Sequence, residues 1–282
     1  MHFLIATGGD EYSDQAVRVG AQLACHARAV ITIMTVVAHD SDRSHADAIL
    51  ARTLTLIDSE ANGSLANSSL AIDVKTKVCI GEVVAEIVRE TETANYDLLI
   101  IGSHPDHGIL KRIIGPTSER ILSQLPGPVL IVKGEAGSFH KALVCSSGVG
   151  GYQGPTSSVI RMSPILSGTA ITLLHVMSQI SASPDSQDGW QLQATVSELI
   201  EEESPEGRLL EERLNLLENS GFQVEAKIRH GLVVDEILEE SSAGNYDLVV
   251  IGAHSATGWK RYLLDDVAHQ IITRADRPVL VV

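Results

Sequence analysis

The stretch Asn95-Tyr96-Asp97-Leu98-Leu99-Ile100-Ile101-Gly102-Ser103-His104 returns 150 residues later as Asn245-Tyr246-Asp247-Leu248-Val249-Val250-Ile251-Gly252-Ala253-His254, with seven of the ten residues identical. The same offset joins Gly81 to Gly231 and Pro128 to Pro278, and it falls to about 140 nearer the start of each copy. Repetition over this length indicates two copies of one domain. We predict domains at residues 1–134 and 139–282, joined by a short polar linker.

Each copy alternates short aliphatic runs with segments of helical periodicity. The runs are rich in Ile and Val and lack strict polar alternation, which is typical of strands buried on both faces of a parallel sheet. In the first copy the predicted strands are 2–7, 30–37, 71–79, 98–102 and 129–132, and the predicted helices are 13–26, 82–93 and 117–125. The βαβ order predicts the α/β class: two tandem Rossmann-like domains, each a five-stranded parallel sheet with helices on both faces.

The second copy departs from the first in two places. Pro155 and Pro164 interrupt its first helical region, which we expect to be kinked or to begin late. An insertion at 178–207 is interpreted as a mobile loop with a short helix at 191–203, and its acid run is interpreted as a solvated surface. A longer helix is predicted at 205–219, ended by Gly221. Its expected apolar stripe consists of Leu209, Leu210, Leu214 and Leu217.

The composition limits the partners of the protein. The 282 residues include 36 acidic and 21 basic side chains, for a formal net charge of -15. This balance argues against nucleic acid and anionic membranes as main partners, because both need a basic face. No apolar run approaches the roughly 20 residues of a membrane helix, and the first residues lack the basic region of a signal peptide. Cys25, Cys79 and Cys145 are widely spaced, which favours reduced thiols, and we expect a cytoplasmic protein.

Two segments of the first copy follow strands at the edge of the sheet where ligands of open parallel sheets bind. One is the turn at residues 6–13, and the other is residues 102–118, in which Gly115 precedes a predicted helix. Glycine admits a phosphate close to the backbone, and free N–H groups at a helix start hold its charge. The same spacing also fits ordinary tight turns, so the spacing alone leaves both interpretations open.

The chain resembles the universal stress protein family over nearly its whole length, in a tandem two-domain form. The resemblance rests on Ser13 after a small-residue turn, Gly81-Glu82 before a helix, Tyr96-Asp97-Leu98 leading to Gly102-Ser103, and the closing Pro128-Val129-Leu130. It implies adenine nucleotide alpha hydrolase-like domains with the strand order 3-2-1-4-5. It also implies that the two copies form an intramolecular version of the family dimer, which pairs through the last strands; a homodimer of whole chains stays open.

One subgroup of this family binds ATP through the pattern Gly-x2-Gly-x9-Gly-Ser/Thr. In the first copy Gly102 and Gly115 match the pattern. Pro105 replaces the middle glycine, and Pro116 replaces the hydroxyl residue, for which Thr117 is a nearby substitute. The first copy therefore keeps the pattern in part, and the resemblance implies one ATP there.

The rest of the implied ATP site comes from the first two strands. The resemblance places the backbone of Ala6 and Val36 beside the adenine, and Gly8 stands where the family usually has an aspartate, with Asp10 two residues on. No metal is expected apart from the magnesium that accompanies ATP. The complete predicted site consists of Ala6, Thr7, Gly8, Val36, Gly102, Ser103, His104, Pro105, Gly115, Pro116, Thr117 and Ser118.

The second copy keeps less of the pattern. Gly252 matches, but Ser255 stands at the middle glycine, and Asp265 and Asp266 stand at the last glycine and the hydroxyl residue. A carboxylate at 4 Å from a phosphate repels it by about 1 kcal/mol in water and by more where water is excluded. We therefore predict that the second copy binds no ATP and serves as a structural partner of the first.

Three functional hypotheses follow. The leading one is a non-enzymatic stress-response regulatory module that holds one ATP in its first copy and acts on an unknown protein partner. The alternative is a nucleotide-free scaffold or protein-interaction module of the same fold. A slow ATPase with Asp10 or Asp106 as base is a third, although the Walker and G-x-S-x-G motifs are absent. His104 and His107 have no Cys or third His nearby and are interpreted as loop residues.

Overall fold

The structure is a computed structural model, whose described residues form two compact units. It describes residues 1–64, 72–103, 120–122, 124–125, 127–134, 137–146, 154–177, 194–252 and 266–282. The first unit holds the described residues within Met1–Ser138 and Ile272–Val281, and the second holds those within Phe139–Ser255 and Asp265–Ile271, with Val282. The domain limits 1–134 and 139–282 stay a prediction.

The described residues form ten strands. These are β1 (His2–Ala6), β2 (Val30–Val37), β3 (Val74–Ile80), β4 (Leu98–Gly102), β5 (Val129–Val132), β6 (Lys141–Ser146), β7 (Ala170–Met177), β8 (Val224–His230), β9 (Leu248–Ile251) and β10 (Val279–Val281). In the first unit the order is β3-β2-β1-β4-β5, all parallel, and β10 runs antiparallel to β5 with Val279 opposite Ile131. In the second unit β8, β7, β6 and β9 are parallel neighbours in that order.

Helices connect the strands in both units. They are α1 (Glu11–Ala27), α2 (Arg43–Ser64), α3 (Val83–Thr93), α4 (Pro155–Arg161), α5 (Ser163–Leu166), α6 (Val196–Glu201), α7 (Pro205–Asn219), α8 (Val233–Ala243) and α9 (Asp266–Arg274). The predicted α/β class with parallel strands is confirmed. Of the predicted helix 117–125, residues 120–122 are helical, and 117–119 lie outside the described residues.

The proline positions of the second copy act as the sequence predicts. Pro155 begins α4, Pro164 lies in the first turn of α5, and the break between the two helices falls at Met162. A proline is tolerated in the first turn because its missing N–H has no partner there in any case. The short helix expected at 191–203 is present as α6, which covers only 196–201, and residues 191–193 lie outside the described residues. The predicted helix 205–219 is confirmed as α7.

The structure differs from the sequence prediction in two helices. The 22-residue helix α2 was not predicted. The expected apolar stripe of α7 is partly wrong, since Leu210 and Leu217 are buried whereas Leu209 and Leu214 are half-buried. Arg213 takes a buried position on that face, because its guanidinium donates a hydrogen bond to Ser146 Oγ inside the unit.

The repeated Asn-Tyr-Asp motif ties the start of the first strand of each copy to its fourth strand. Asp97 accepts a hydrogen bond from His2 N through Oδ2 at 2.7 Å, and its own amide donates to the His2 carbonyl at 2.8 Å. In the second copy Asp247 Oδ2 accepts from His140 N at 2.8 Å and from Lys141 N at 2.9 Å. The aspartate thus satisfies backbone donors at the amino ends of the strands, which explains why the motif precedes β4 and β9.

The tyrosine of the motif holds a buried glutamate. Tyr96 Oη donates to Glu90 Oε1 at 2.7 Å, and Tyr246 Oη donates to Glu240 Oε1 at 3.0 Å. Lys227 Nζ and Arg229 Nη1 also donate to the Glu240 carboxylate, at 2.8 and 3.0 Å. Burial raises the pKa of Glu240, but these hydrogen bonds outweigh burial and leave the pKa lowered. The carboxylate is therefore the charged centre of a satisfied network.

We predict that Glu240→Gln lowers the free energy of unfolding by about 2 to 3 kcal/mol at pH 7, because a buried network loses its charge and leaves donors unpaired. The matched control is Glu239→Gln, whose carboxylate also contacts Arg229 but is 67% exposed, and its cost should stay below about 1 kcal/mol. Urea denaturation followed by circular dichroism measures both.

The pH dependence gives a second readout of the same variant. A carboxyl group whose pKa is lowered in the folded state stabilises the fold above its unfolded pKa and loses that contribution as the pH falls. The advantage of the natural chain over Glu240→Gln should therefore shrink below about pH 4.5. Equal stability of the two chains at pH 7 would contradict the assignment.

Candidate functional site

The turn after β1 is a hydrogen-bonded cap on helix α1. Asp10 Oδ1 accepts from Ser13 N at 2.7 Å, and Asp10 N donates to Ser13 Oγ at 3.1 Å, which together form a capping box. Thr7 Oγ1 donates to Ser13 Oγ at 3.2 Å and accepts from Gly9 N at 3.2 Å. The sequence folds this way because Asp and Ser at the N-cap and N3 positions satisfy the free N–H groups of a helix start.

The carboxyl end of β4 lies directly against this turn. A Cβ atom on Gly102 would lie 2.3 Å from the carbonyl oxygen of Tyr12 and 2.8 Å from Ser13 N. No side chain fits at such distances from backbone, so glycine is required at this position. The next residue, Ser103, is buried, and its amide donates to the Val132 carbonyl at 3.0 Å.

A cavity of about 300 Å³ lies at the carboxyl ends of β1, β2 and β4 in the first unit. Five residues of the predicted site line it: Ala6, Thr7, Gly8, Val36 and Gly102. Ser103 follows the last of these in the chain and is not a lining residue. The other predicted site residues lie outside the described part of the chain: His104, Pro105, Gly115, Pro116, Thr117 and Ser118.

The prediction from sequence missed most of the apolar wall. The additional lining residues are Asp10, Tyr12, Ser13, Met34, Val83, Ile87, Ile101 and Ile121. Strand alternation could have found Met34, which lies two residues before Val36 on the same strand. Helical spacing could have found Val83 and Ile87, which lie four residues apart on α3. The cavity therefore has aliphatic walls and a polar rim of hydroxyl and backbone groups.

The register of β1 and β2 leaves backbone groups available in this cavity. The last β1 residue, Ala6, pairs with Met34, and Thr7 N donates to the Met34 carbonyl at 2.9 Å. In a parallel ladder alternate residues direct both backbone groups toward the same neighbour. The N–H and C=O of Val36 therefore face the side of β1. They lie beyond Ala6, the last β1 residue that pairs with β2.

The second unit has a different arrangement at the matching position. By strand register Ser146 corresponds to Thr7, because His2 pairs with Val30 and Lys141 with Ala170. Ser146 Oγ accepts a hydrogen bond from the buried guanidinium of Arg213 on α7. Burial lowers the pKa of Arg213, with Glu212 acting in the opposite direction. In the second unit the Arg213 side chain thus binds the Ser146 hydroxyl, whereas the corresponding residue of the first unit, Thr7, borders the cavity.

The described ranges contain neither a metal-binding cluster nor a membrane-spanning helix. No three His, Cys, Asp or Glu side chains among those residues come together as a metal-binding group. Within the same ranges, no helix has the length and apolar character that a membrane crossing requires. Asp106, His107, Ser255 and Asp265, which enter the sequence-based hypotheses, lie outside the described residues.

The first unit is thus an open parallel α/β fold with a ligand-sized cavity at the carboxyl edge of its sheet. The sequence model of the Universal stress protein family matches residues 1–133 and 165–282, and the chain belongs to this family. The two matched segments confirm the tandem form.

Relatives support this assignment over the full length. A universal stress protein of Mycolicibacterium smegmatis is 26% identical over 307 aligned residues, covering 99% of this chain and 96% of the relative. A universal stress protein of Methanocaldococcus jannaschii is 34% identical over 96 residues, 34% of this chain and 54% of the relative. A crystal structure of a universal stress protein from Archaeoglobus fulgidus has a TM-score of 0.69 at 19% identity, covering 99% of this chain and 97% of that one. This last likeness concerns the fold alone.

We predict that Gly102→Ala lowers the free energy of unfolding by about 2 to 3 kcal/mol, because the added methyl group forces β4 away from the α1 turn. The matched control is Gly127→Ala, where an added Cβ meets nothing within 4 Å and the stability should change little. Thermal unfolding followed by circular dichroism compares the two. Equal melting temperatures would show that the β4 end and the α1 turn are not in close contact.

Proposed function

We propose that the chain is a non-enzymatic regulatory module whose first unit binds one adenine nucleotide and whose second unit binds none. The observation that carries the proposal is the cavity of about 300 Å³ in the first unit. It brings together five residues that the sequence pattern had selected from separate strands. Its volume lies at the lower end of the roughly 300 to 1,000 Å³ range of small-molecule sites.

The lining chemistry suits a flat heterocycle. Met34, Ile87, Ile101 and Ile121 supply aliphatic surface, which favours burial of an aromatic base. The N–H and C=O of Val36, which face the side of β1 beyond its last pair, form a donor and acceptor pair that complements the ring nitrogen and amino group of adenine. The ribose and phosphates would then extend past Gly102, the residue at which the partly kept glycine pattern begins in the sequence.

A regulatory role fits the groups in this cavity better than hydrolysis does. The carboxylate of Asp10 already serves as the cap of α1 through its contact with Ser13 N. Its position is that of a structural acceptor and not of a base aimed at a phosphate. We propose that nucleotide occupancy changes a surface that a protein partner recognises. A ligand can do this only if it binds the two surface states with different affinity.

Two further parts of the proposal concern pairing and location. We propose that the two copies associate as an intramolecular pair, which is supported by the antiparallel pairing of β5 with β10, the last strands of the two copies. We also propose a cytoplasmic location, which is supported by the three cysteines, all of them free.

We predict that Val36→Trp weakens ATP binding at least about tenfold, because the indole fills the proposed adenine position. Val176→Trp is the matched control, since Val176 holds the equivalent half-buried position on β7 and should leave binding unchanged. Calorimetric titration with ATP and magnesium should give one site per chain. Undiminished binding in Val36→Trp would place the nucleotide elsewhere. No binding and no thermal shift in the natural chain would favour a nucleotide-free interaction module.

We predict that Gly115→Asp, which introduces the residue found at 265 in the second copy, weakens ATP much more than adenosine. The added carboxylate repels phosphate but has no charge to oppose on a nucleoside. Parallel titrations with ATP and adenosine separate the two effects. Equal loss for both ligands would mean that residue 115 acts on folding and not on the phosphates.

A further inference from the structure

An ion pair joins two walls of the first-unit cavity on their solvent side. Arg120 Nη1 donates to Glu82 Oε1 at 2.9 Å. Each partner directly precedes a lining residue of the cavity, Val83 on α3 and Ile121 in the helical residues 120–122. The side chains of Glu82 and Arg120 are 49% and 56% exposed, whereas Ile121 is buried. The pair therefore bridges the two walls at the side from which solvent reaches them.

The start of α3 marks an opening of the cavity. Val83 lines the cavity and is 41% exposed, while Ile87, one turn further along the helix, lines it and is buried. A residue that faces both the cavity and solvent lies at an opening between them. Because Glu82 is the residue before Val83, the ion pair stands beside this opening. A ligand that enters past Val83 therefore passes the pair as well.

Glu82 is held in place for this contact by its own helix. Its Oε2 accepts from Ala85 N at 2.8 Å and thereby caps α3. This hydrogen bond lowers the pKa of Glu82, and Arg120 lowers it further, while partial desolvation acts in the opposite direction. The carboxylate is thus charged at neutral pH, with one oxygen on the helix start and the other on Arg120.

The second copy lacks both partners of the pair. At the 150-residue offset of the repeat, Leu232 takes the place of Glu82, and Gln270 takes the place of Arg120. Helix α8 nevertheless begins at Val233 without a side-chain cap and has the same length of 11 residues as α3. The fold therefore does not require the ion pair, and exposed pairs contribute little to stability in any case. Both charges occur together where the described cavity lies.

We propose that the Glu82–Arg120 ion pair is a gate that opens for a ligand to enter or leave the first-unit cavity. A weak, exposed pair suits this role because it breaks and re-forms readily. Neither side chain is among the lining residues, so loss of the pair should change the rates of entry and release by the same factor and leave the affinity unchanged. That the retained ligand is an adenine nucleotide rests on the proposed function.

The first test measures access to the cavity in the ligand-free full chain. Ile87→Cys places a thiol on the buried wall, and peptide mass spectrometry separates its reaction with the neutral reagent iodoacetamide from that of the three natural cysteines. Arg120→Gln, which introduces the residue of the second copy, should speed labelling at position 87 about two- to fivefold. Loss of the positive charge by itself would leave less thiolate and slow the reaction, so acceleration reports access.

Three further variants in the same background test whether the pair acts as a unit. Glu82→Gln keeps an acceptor for Ala85 N and should also accelerate labelling. Glu82→Gln/Arg120→Gln should be no faster than the faster single variant, because one contact cannot be lost twice. Arg208→Gln is the matched control, since it removes the same charge from an exposed ion pair with Glu203 at 3.2 Å and neither residue lines the cavity. It should leave labelling unchanged.

The second test measures the exchange of bound ATP in chains without the cysteine substitution. In Arg120→Gln, the rates of ATP association and dissociation should both rise about two- to fivefold, while the Kd stays within about twofold. A natural chain that binds no ATP contradicts the proposed function, and the labelling test still decides the gate. Met34→Cys, on the β2 wall of the cavity, supplies a second thiol position if Ile87→Cys unfolds.

Each outcome of the labelling test decides the proposal. Acceleration in both single variants, without further gain in the double variant, supports the gate. Equal labelling with and without Arg120→Gln overturns it. Effects that multiply in the double variant also overturn it, since two independent contacts would then be at work. Acceleration in Arg208→Gln would trace the response to net charge and overturn the gate as well.

Discussion

The contact between the last residue of β4 and the first turn of α1 is the constraint on which the candidate site depends. At that point two backbone segments approach so closely that position 102 has room only for hydrogen. The approach brings the turn capped by Asp10 and Ser13 beside the sheet and closes one side of the cavity. A larger residue would separate strand and helix, and the lining groups of β1 and β4 would no longer border one volume.

The two copies share the interactions that join their elements and differ in the groups at the edge of the sheet. The aspartate and tyrosine of the repeated motif make the same contacts in both, with the strand start and with a buried glutamate. At the strand ends, Thr7 borders an open cavity whereas Ser146 is bonded to Arg213. Duplication has thus kept the scaffold contacts, while the two edges have acquired separate chemistry. This is the pattern expected where function lies in sites placed on a common fold.

The sequence predicted what depends on local pattern and missed what depends on packing between distant elements. Continuous aliphatic runs identified the strands, and Pro205 and Gly221 marked the limits of α7, because these signals are local. Helix α2 was missed because its buried face, Ala46, Leu50, Thr53 and Ile57, includes a small and a polar residue.

Part of the cavity lining was expected from the sequence. The turn after β1 and Gly102 were expected because ligands of a parallel sheet bind at its carboxyl edge, whereas Val36 was expected only from the family resemblance. The cavity walls that α3 contributes were not predicted, and neither was the burial of Arg213 in the second unit. The spacing of residues in a sequence does not show which face of a helix packs on which strand. From sequence alone, a charged residue within an apolar stripe is assigned to the surface, because its internal hydrogen-bond partner is not known.

The pairing of β10 with β5 has a consequence for how the chain folds. Ile131 meets Val279, a partner roughly 150 residues away along the chain, so this ladder has a high loop-closure cost and forms late. During synthesis the first unit can assemble its five parallel strands while the free edge of β5 waits for residues 279–281. That edge, Val129–Val132, is entirely aliphatic, and an unpaired aliphatic edge is prone to pair with a foreign strand. The edge of β5 stays open to such pairing until β10 has been synthesised and pairs with it.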